Sequence, residues 1–454
     1  MDVRADHDVR DLLPEQAVAV NGVARIRIML LLSLAAPSVG AAQERAVALA
    51  DAIKLSERVQ PLVVRARSEV ETAAARRRNA WGAYLPSLSA SSSASDFFSE
   101  GAARIDPVTG LLTTGNSSNQ SISTSLSASI DLFTGFRRGA EMSAVRAGQS
   151  AAEASLVDAR FQQALTTTNQ FFDALAGRQL VGVREASVRR AEEQLKVSVA
   201  KLRAGSATRS DSLRSLVTLG NARLELINSE TDLAAAEAGL GRLVGEIGRV
   251  RAVDDSAFYQ VTETVDSAAV RADAEARSPL IQSAAASASA ARANVRASKS
   301  AYWPTLALSA NTAWNASGSN DYDLLNQRQV SLGLRWNLFD RFDRELAVAE
   351  REATLDVALA DAEEARRQVA AELISRLAEL EAARARIEIT LTSVAAATED
   401  LRVQQERYRL GASTIVDVLT SQEALNQAEV DVVVARFDYL RAKAQLEALL
   451  GRTL

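Results

Sequence analysis

The chain has 454 residues, 47% of them hydrophobic and only 5% aromatic, with alanine carrying much of the apolar share; this suits long, closely packed helices better than a thick globular core. A formal net charge of -5 offers nucleic acid no electrostatic hold. With no cysteine and a single histidine, His7, the chain excludes disulfides, thiolate or imidazole metal centres and Ser/His/Asp triads, so no metal, cofactor or enzyme activity is expected.

Residues 1–42 read as a leader and signal peptide. Arg25 and Arg27 precede the apolar run Ile28 to Ala36, and small residues at Val39-Gly40-Ala41-Ala42 place cleavage near Ala41 or Ala42. The run is shorter than the roughly 20 residues of a membrane-spanning helix. No cysteine follows for a lipid anchor, so a mature chain that meets a membrane has to do so through strands.

Beyond the signal the chain is written twice, as a first repeat over 43–245 and a second over 266–454, joined by a linker over 246–265. Tyr84-Leu85-Pro86-Ser87-Leu88 returns as Tyr302-Trp303-Pro304-Thr305-Leu306, and Ile130-Asp131-Leu132-Phe133 as Trp336-Asn337-Leu338-Phe339. Pro61, Gly205 and Leu243-Val244-Gly245 find partners in Pro279, Gly411 and Leu449-Leu450-Gly451. Each repeat starts with a short helical stretch, Ala46 to Trp81 or Ser267 to Tyr302. A strand pair follows. In the first copy Leu88 to Phe98 leads through an insertion rich in Gly, Ser, Thr and Asn (Gly101 to Asn119) to Ile122, Thr124, Leu126, Ala128, Ile130 and Leu132, which alternate with serines and Asp131. In the second, Leu306 to Trp314 and Val330 to Leu338 repeat the alternation. Each strand is close to the 9–11 residues of a tilted transmembrane strand.

Proline-free stretches from Arg138 to Ala204 and from Phe342 to Leu410 predict helices about 100 Å long. Shorter helices return after Gly205 and Gly411. The last carries a stripe at alternating spacings of three and four: Leu425, Ala428, Val432, Ala435, Tyr439, Ala442, Leu446 and Leu449. Two short helices end to end match one long helix, which implies an antiparallel tube wall. All four tryptophans lie in or beside the strands; Trp81, Tyr84, Tyr302, Trp303, Trp336, Phe133 and Phe339 are the expected membrane-interface aromatics. Four strands cannot close a membrane barrel, whose smallest form has about eight, and lipid does not tolerate open edges. Three chains would pool about twelve.

In these features the chain resembles the TolC family of outer-membrane efflux proteins. The most specific piece is Tyr408-Arg409-Leu410-Gly411-Ala412-Ser413-Thr414-Ile415-Val416-Asp417-Val418-Leu419, which resembles the family's helix-to-helix turn at the periplasmic tip; the missing lipid cysteine resembles its unlipidated branch. The resemblance implies a mainly α fold with membrane β-strands, in which a homotrimer forms a 12-stranded β-barrel continued by a long antiparallel α-helical barrel. It implies an outer-membrane exit duct for efflux or type I secretion, seated in outer-membrane lipid with a long periplasmic extension. Its partners would be a periplasmic adaptor (membrane-fusion) protein and an inner-membrane RND or ABC pump. Gate positions carried over from the family are Asp417, Thr420 and Ser413, with Asp211 in the same place in the first copy. The adaptor would meet the exposed turns at Gly205, Gly411, Leu410 and Tyr408. Thr208 to Asp211 and Thr414 to Asp417 also read as helix-capping boxes, and either glycine as the left-handed exit of a helix. A non-channel periplasmic coiled-coil scaffold would share the heptads but has no use for alternating strands.

Overall fold

The computed structural model describes residues 45–102, 104–113, 117–259, 267–317 and 325–452; the leader and signal peptide expected over 1–42, and residues 260–265 of the linker, lie outside them. In the first copy β1 (Arg45–Val47) precedes α1 (Leu49–Val59) and α2 (Pro61–Gly82). Then come β2 (Ser87–Ser99), β3 (Arg104–Ile105), β4 (Leu112–Thr113), β5 (Ser117–Phe133), α3 (Arg137–Arg203) and α4 (Arg209–Val244). After β6 (Val250–Ala252) the second copy runs through α5 (Ser267–Arg277), α6 (Pro279–Ser298), β7 (Thr305–Ser317), β8 (Leu325–Arg335), α7 (Asp343–Arg409) and α8 (Ile415–Leu450). The long helices both have 67 residues and their return helices both have 36, so every boundary in α7 and α8 repeats one in α3 and α4 at a shift of 206 positions, as from Arg137 to Asp343.

The expected first helix of each copy is in fact two. Pro61 and Pro279 stand at N1 of α2 and α6, and the residues before them, Gln60 and Ser278, are extended with ψ 132° and 123°. A proline lacks the N–H that a continuous helix needs and disfavours helical geometry in its predecessor. The break is used: the Gln60 side-chain amide donates to the carbonyls of Arg242 at 3.2 Å and Leu243 at 2.7 Å, the open C-terminal end of α4. The pair α1–α2 and the return helix α4 thereby abut along one long helix, α3. β1 and β6 pair in parallel beside this junction. Here lies the main core, with Phe171, Leu175, Leu240, Leu373, Phe437 and Leu446 at its centre and the rings of Phe172, Phe258 and Phe437 in contact. A second, smaller cluster near the far end holds Leu401, Tyr408, Ile415, Val418 and Leu425.

The stripe on α8 is buried as expected, Leu449 being only partly covered. α8 also buries a second row, Gln422, Asn426, Val433, Phe437 and Leu440, and meets α3 there: Arg190 donates to Asn426 at 2.7 Å and to Glu429 at 2.6 Å, and Arg441 pairs with Asp173 at 2.6 Å. α4 lacks such a second covered row and exposes Leu213, Leu216, Leu224 and Ile227. No described helix is long and apolar enough to cross a membrane.

The large sheet has the order β2-β5-β7-β8, antiparallel throughout. The strands have 13, 17, 13 and 11 residues, longer than expected in the first copy because β5 already starts at Ser117, inside the Gly101 to Asn119 insertion. The rest of that insertion is not plain loop but contains the β3–β4 hairpin. In the second copy β8 ends at Arg335, so Trp336 to Leu338 lie past the strand. Because side chains alternate, the register sorts them onto two faces, with Ser92, Thr124, Asp96 and Arg328 among the polar exceptions on the apolar face and Phe97 as an apolar one on the other. One face carries Ser87, Ser91, Ser93 and Ser95 opposite Ser129, Ser125, Ser123 and Ser121, each pair bridged by a hydroxyl–hydroxyl hydrogen bond of 2.8–2.9 Å. Ser309 and Ser331 continue it at 2.7 Å, and Ser127 donates to Asn311 at 2.9 Å. The other face carries Leu88, Ile122, Leu126, Ile130, Leu306, Leu308, Val330, Leu332 and Leu334. Each chain leaves the outer edges of β2 and β8 without a partner among the described residues.

Candidate functional site

Two regions gather the residues singled out above: the junction where strands become long helices, and the opposite tip where the long helices turn back.

At the junction, β5 and β8 each run into a helix through Phe133-Thr134-Gly135-Phe136 or Phe339-Asp340-Arg341-Phe342. Phe136 and Phe342 adopt left-handed φ of 69° and 68°, a conformation that costs a bulky residue energy and needs support. Phe136 is held edge-on between Phe133 at 5.3 Å and Trp303 at 5.7 Å, and Phe342 packs edge-on against Phe339 at 5.7 Å. An arginine in the first turn of each helix reaches back to the strand end: Arg138 to the carbonyl of Asp131, and Arg344 to those of Asn337 at 3.1 Å and Leu338 at 3.2 Å. The same guanidinium lies over a tyrosine, Arg138 over Tyr84 at 5.5 Å and Arg344 over Tyr302 at 4.8 Å. Trp336 donates its indole N–H to the Tyr302 carbonyl at 3.2 Å. The structure therefore brings Trp81, Tyr84, Phe133, Tyr302, Trp303, Trp336 and Phe339 to one end of the sheet. All but Phe133 are exposed, Trp81 by 60% and Phe339 by 70%. The arginine pair was missed at the sequence level, although Arg138 and Arg344 occupy equivalent places in the repeat.

At the tip, both long helices end in the same hydrogen-bonded motif. Ser206 N–H donates to the Lys201 carbonyl at 2.9 Å and Gly205 N–H to that of Leu202 at 3.0 Å; Ala412 to Arg407 and Gly411 to Tyr408 repeat this at 2.8 and 3.1 Å. Gly205 and Gly411 have φ of 73° and 78°, as the left-handed exit demands, and a Cβ on either would meet only open space. The return helices start with complete capping boxes. Thr208 accepts from Asp211 N–H at 3.2 Å while Asp211 accepts from Thr208 N–H at 2.9 Å; for Thr414 and Asp417 the distances are 3.3 and 2.9 Å. The Thr414 N–H and then its hydroxyl hold the Asp417 carboxyl below its ordinary value, with Arg407 adding a weaker pull.

The four gate positions do not form one cluster. Ser413 adjoins Asp417, while Asp211 sits on the other turn. Thr420 lines a groove between α4 and α8 with Ser210, Leu213, Val217, Val416 and Glu423. Leu410 is 79% exposed, as a docking turn requires. Tyr408 is not: it is 6% exposed, with its ring under the Lys201 ammonium at 4.2 Å. Lys201 also donates to the Tyr408 carbonyl. The expectation that the Tyr408 side chain is presented to a partner is corrected accordingly; the packing of α8, through Ile415 and Val418, on α7 encloses it. Burial, and next the charge of Asp211, push its hydroxyl above the ordinary value, and that oxygen is buried without a hydrogen-bond partner among the described residues.

Comparison with known proteins agrees with this architecture. Residues 52–246 and 270–452 match the outer membrane efflux protein family. The chain is 25% identical over 286 residues to the outer membrane efflux protein BepC of Brucella suis biovar 1, covering 61% of this chain and 62% of BepC, so just under two thirds of that relative is spanned. It is 25% identical to the pyoverdine export outer membrane protein OpmQ of Pseudomonas aeruginosa, over 75% of this chain and 72% of OpmQ. Among solved structures, CusC superposes with a TM-score of 0.76 at 17% identity, covering 89% of this chain and 92% of CusC. VceC from Vibrio cholerae does so with 0.72 at 19% identity, covering 89% and 96%. With both repeats matched over most of their length, the chain belongs to the outer membrane efflux protein family.

Proposed function

We propose that three copies of the chain form an outer-membrane exit duct, open to solutes handed over by a periplasmic adaptor and an inner-membrane RND or ABC pump. The observation that carries this is the two-faced sheet: one face mainly apolar, the other a ladder of hydroxyls, with both edges unpaired among the described residues and helices about 100 Å long leading away. A sheet with an apolar outer face and a polar inner face suits a wall between lipid and water. A coiled-coil scaffold in water would leave that apolar face exposed. Twelve pooled strands close the edges and leave a channel.

On this reading the aromatic cluster at the strand–helix junction sits at the periplasmic membrane interface. Gly205, Leu410 and Gly411 belong to the turns that the adaptor grips. Asp417 and Asp211, besides capping their helices, form two rings of like charge by three-fold symmetry, with Ser413 and Thr420 beside the Asp417 ring. The export and secretion roles that OpmQ and the alkaline protease secretion protein AprF of Pseudomonas aeruginosa carry in their names support this reading. The test is purification in detergent, light scattering and planar-bilayer recording. A trimer with cation-selective conductance that falls in Asp417→Ala is expected; a water-soluble, non-conducting monomer would refute the duct.

A further inference from the structure

We infer that Thr312, Trp314, Asn326 and Arg328 form a binding site for the phosphate group of an outer-leaflet lipid, one site per chain. This rests on the seating of the sheet in the outer membrane proposed above. The four residues make a block on two neighbouring strands, with Thr312 opposite Arg328 and Trp314 opposite Asn326. They follow Leu306, Leu308 and Ala310 on β7 and Leu334, Leu332 and Val330 on β8, so the block closes the apolar face at the end remote from the helices. Its depth fits a membrane boundary. Trp303, in the aromatic cluster of the junction, and Trp314 are 11 positions apart. At about 3.4 Å per residue and a tilt of about 45°, they lie about 26 Å apart across the bilayer. An outer-membrane barrel carries an apolar band about 25 Å tall between two aromatic girdles. Trp314 therefore reaches the outer interface, where an indole ring is favoured.

Arg328 is the one basic side chain on that face among the described residues. An arginine in a lipid-facing row is costly at the bilayer midplane and nearly neutral at the rim, which again puts the block at the headgroups. The side chain is exposed and has no carboxylate partner among the described residues. Its Nε donates to the Asn326 side-chain oxygen at 3.2 Å. That bond braces the guanidinium and leaves Nη1 and Nη2 as a fork that matches two oxygens of a phosphate. Across the register, the Thr312 hydroxyl oxygen is buried and without a hydrogen-bond partner among the described residues. Such a group is rarely left unsatisfied, and a phosphate oxygen drawn to Arg328 comes within its reach. The site is not a by-product of the repeat. The equivalent block in the first copy is Ala94 opposite Ile122 and Asp96 opposite Gln120. There the Gln120 amide donates to the Asp96 carboxylate at 3.5 Å, and a carboxylate repels phosphate. Only the second hairpin of each chain is suited to the anion.

The full chain, purified in detergent micelles, can be titrated with phosphorylated lipid A and with its dephosphorylated form, bound lipid being counted by native mass spectrometry. The wild type should hold the phosphorylated lipid more tightly, one molecule per chain, and millimolar inorganic phosphate should not displace it. Arg328→Gln should bind that lipid about fivefold more weakly and treat the dephosphorylated form as the wild type does. A wild-type trimer that holds both lipids alike, that releases the lipid to inorganic phosphate, or that Arg328→Gln leaves unchanged, overturns the site while the duct stands. A wild-type chain that is water-soluble and takes up neither lipid overturns the membrane seating itself.

Discussion

Asp417 carries two roles that can be separated by titration. Because the folded turn favours its carboxylate, its contribution is complete above the ordinary value of 3.8 and is lost as pH falls through the lower folded value. Asp417→Asn should therefore lose less melting temperature between pH 5 and pH 3 than the wild type does. Thr414→Ala, which removes the acceptor for Asp417 N–H, should cost about 1 kcal/mol in thermal unfolding. Lys201→Gln removes the ammonium that ties α3 to Tyr408 and should raise the open-tip conductance in planar bilayers; an unaltered current would show that this tie does not restrain the tip. The capping boxes were legible because both partners lie three residues apart. Lys201 and Tyr408 lie 207 apart, and no local pattern announces a pair that only the packing of two helices creates. The burial of Tyr408, read from sequence as a surface residue of the turn, escaped for the same reason.

Element boundaries followed the punctuation of the chain closely. Gly205, Gly245, Gly411 and Gly451 all end helices with positive φ, and the prolines explain why the first helix of each copy is split. The two kinds of glycine differ in what surrounds them. At Gly411 an added Cβ meets nothing, whereas at Gly451 it lies 3.1 Å from the Pro279 ring. Gly411→Ala should cost the backbone strain alone, about 1 kcal/mol, and Gly451→Ala measurably more in the same melting experiment. Glu237 was not anticipated at all. Its side chain is 2% exposed and is held by Arg178 at 2.5 Å and Arg249 at 2.6 Å beside the helix junction. Nothing in the spacing marks it, and its position in the second copy is Lys443, so the repeat gives no hint either. Glu237→Ala removes the shared acceptor of two partly exposed guanidinium groups, of which Arg178 keeps the Ala252 carbonyl, and a loss of about 1.5 kcal/mol is expected in chemical denaturation.

At the scale of the whole molecule, the faces of the sheet were readable from alternation, but the order in which the hairpins join was not: period two assigns a face and leaves the neighbour open. The faces make a sharp contrast testable. Leu332→Arg puts a charge on the apolar face and should cost up to about 2–4 kcal/mol, according to depth, in refolding into lipid vesicles, while Ser331→Arg, one residue away on the hydroxyl face, should insert almost normally. The two hairpins also close very differently. Residues 100–116 join β2 to β5 and fold back as β3 and β4, with Val108 at the apex 91% exposed, whereas only residues 318–324 join β7 to β8. Both connections leave the sheet at the end remote from the helices. In a three-fold assembly long and short connections would then alternate around the outer rim, and an epitope inserted at Val108 should be stained by antibody on intact living cells.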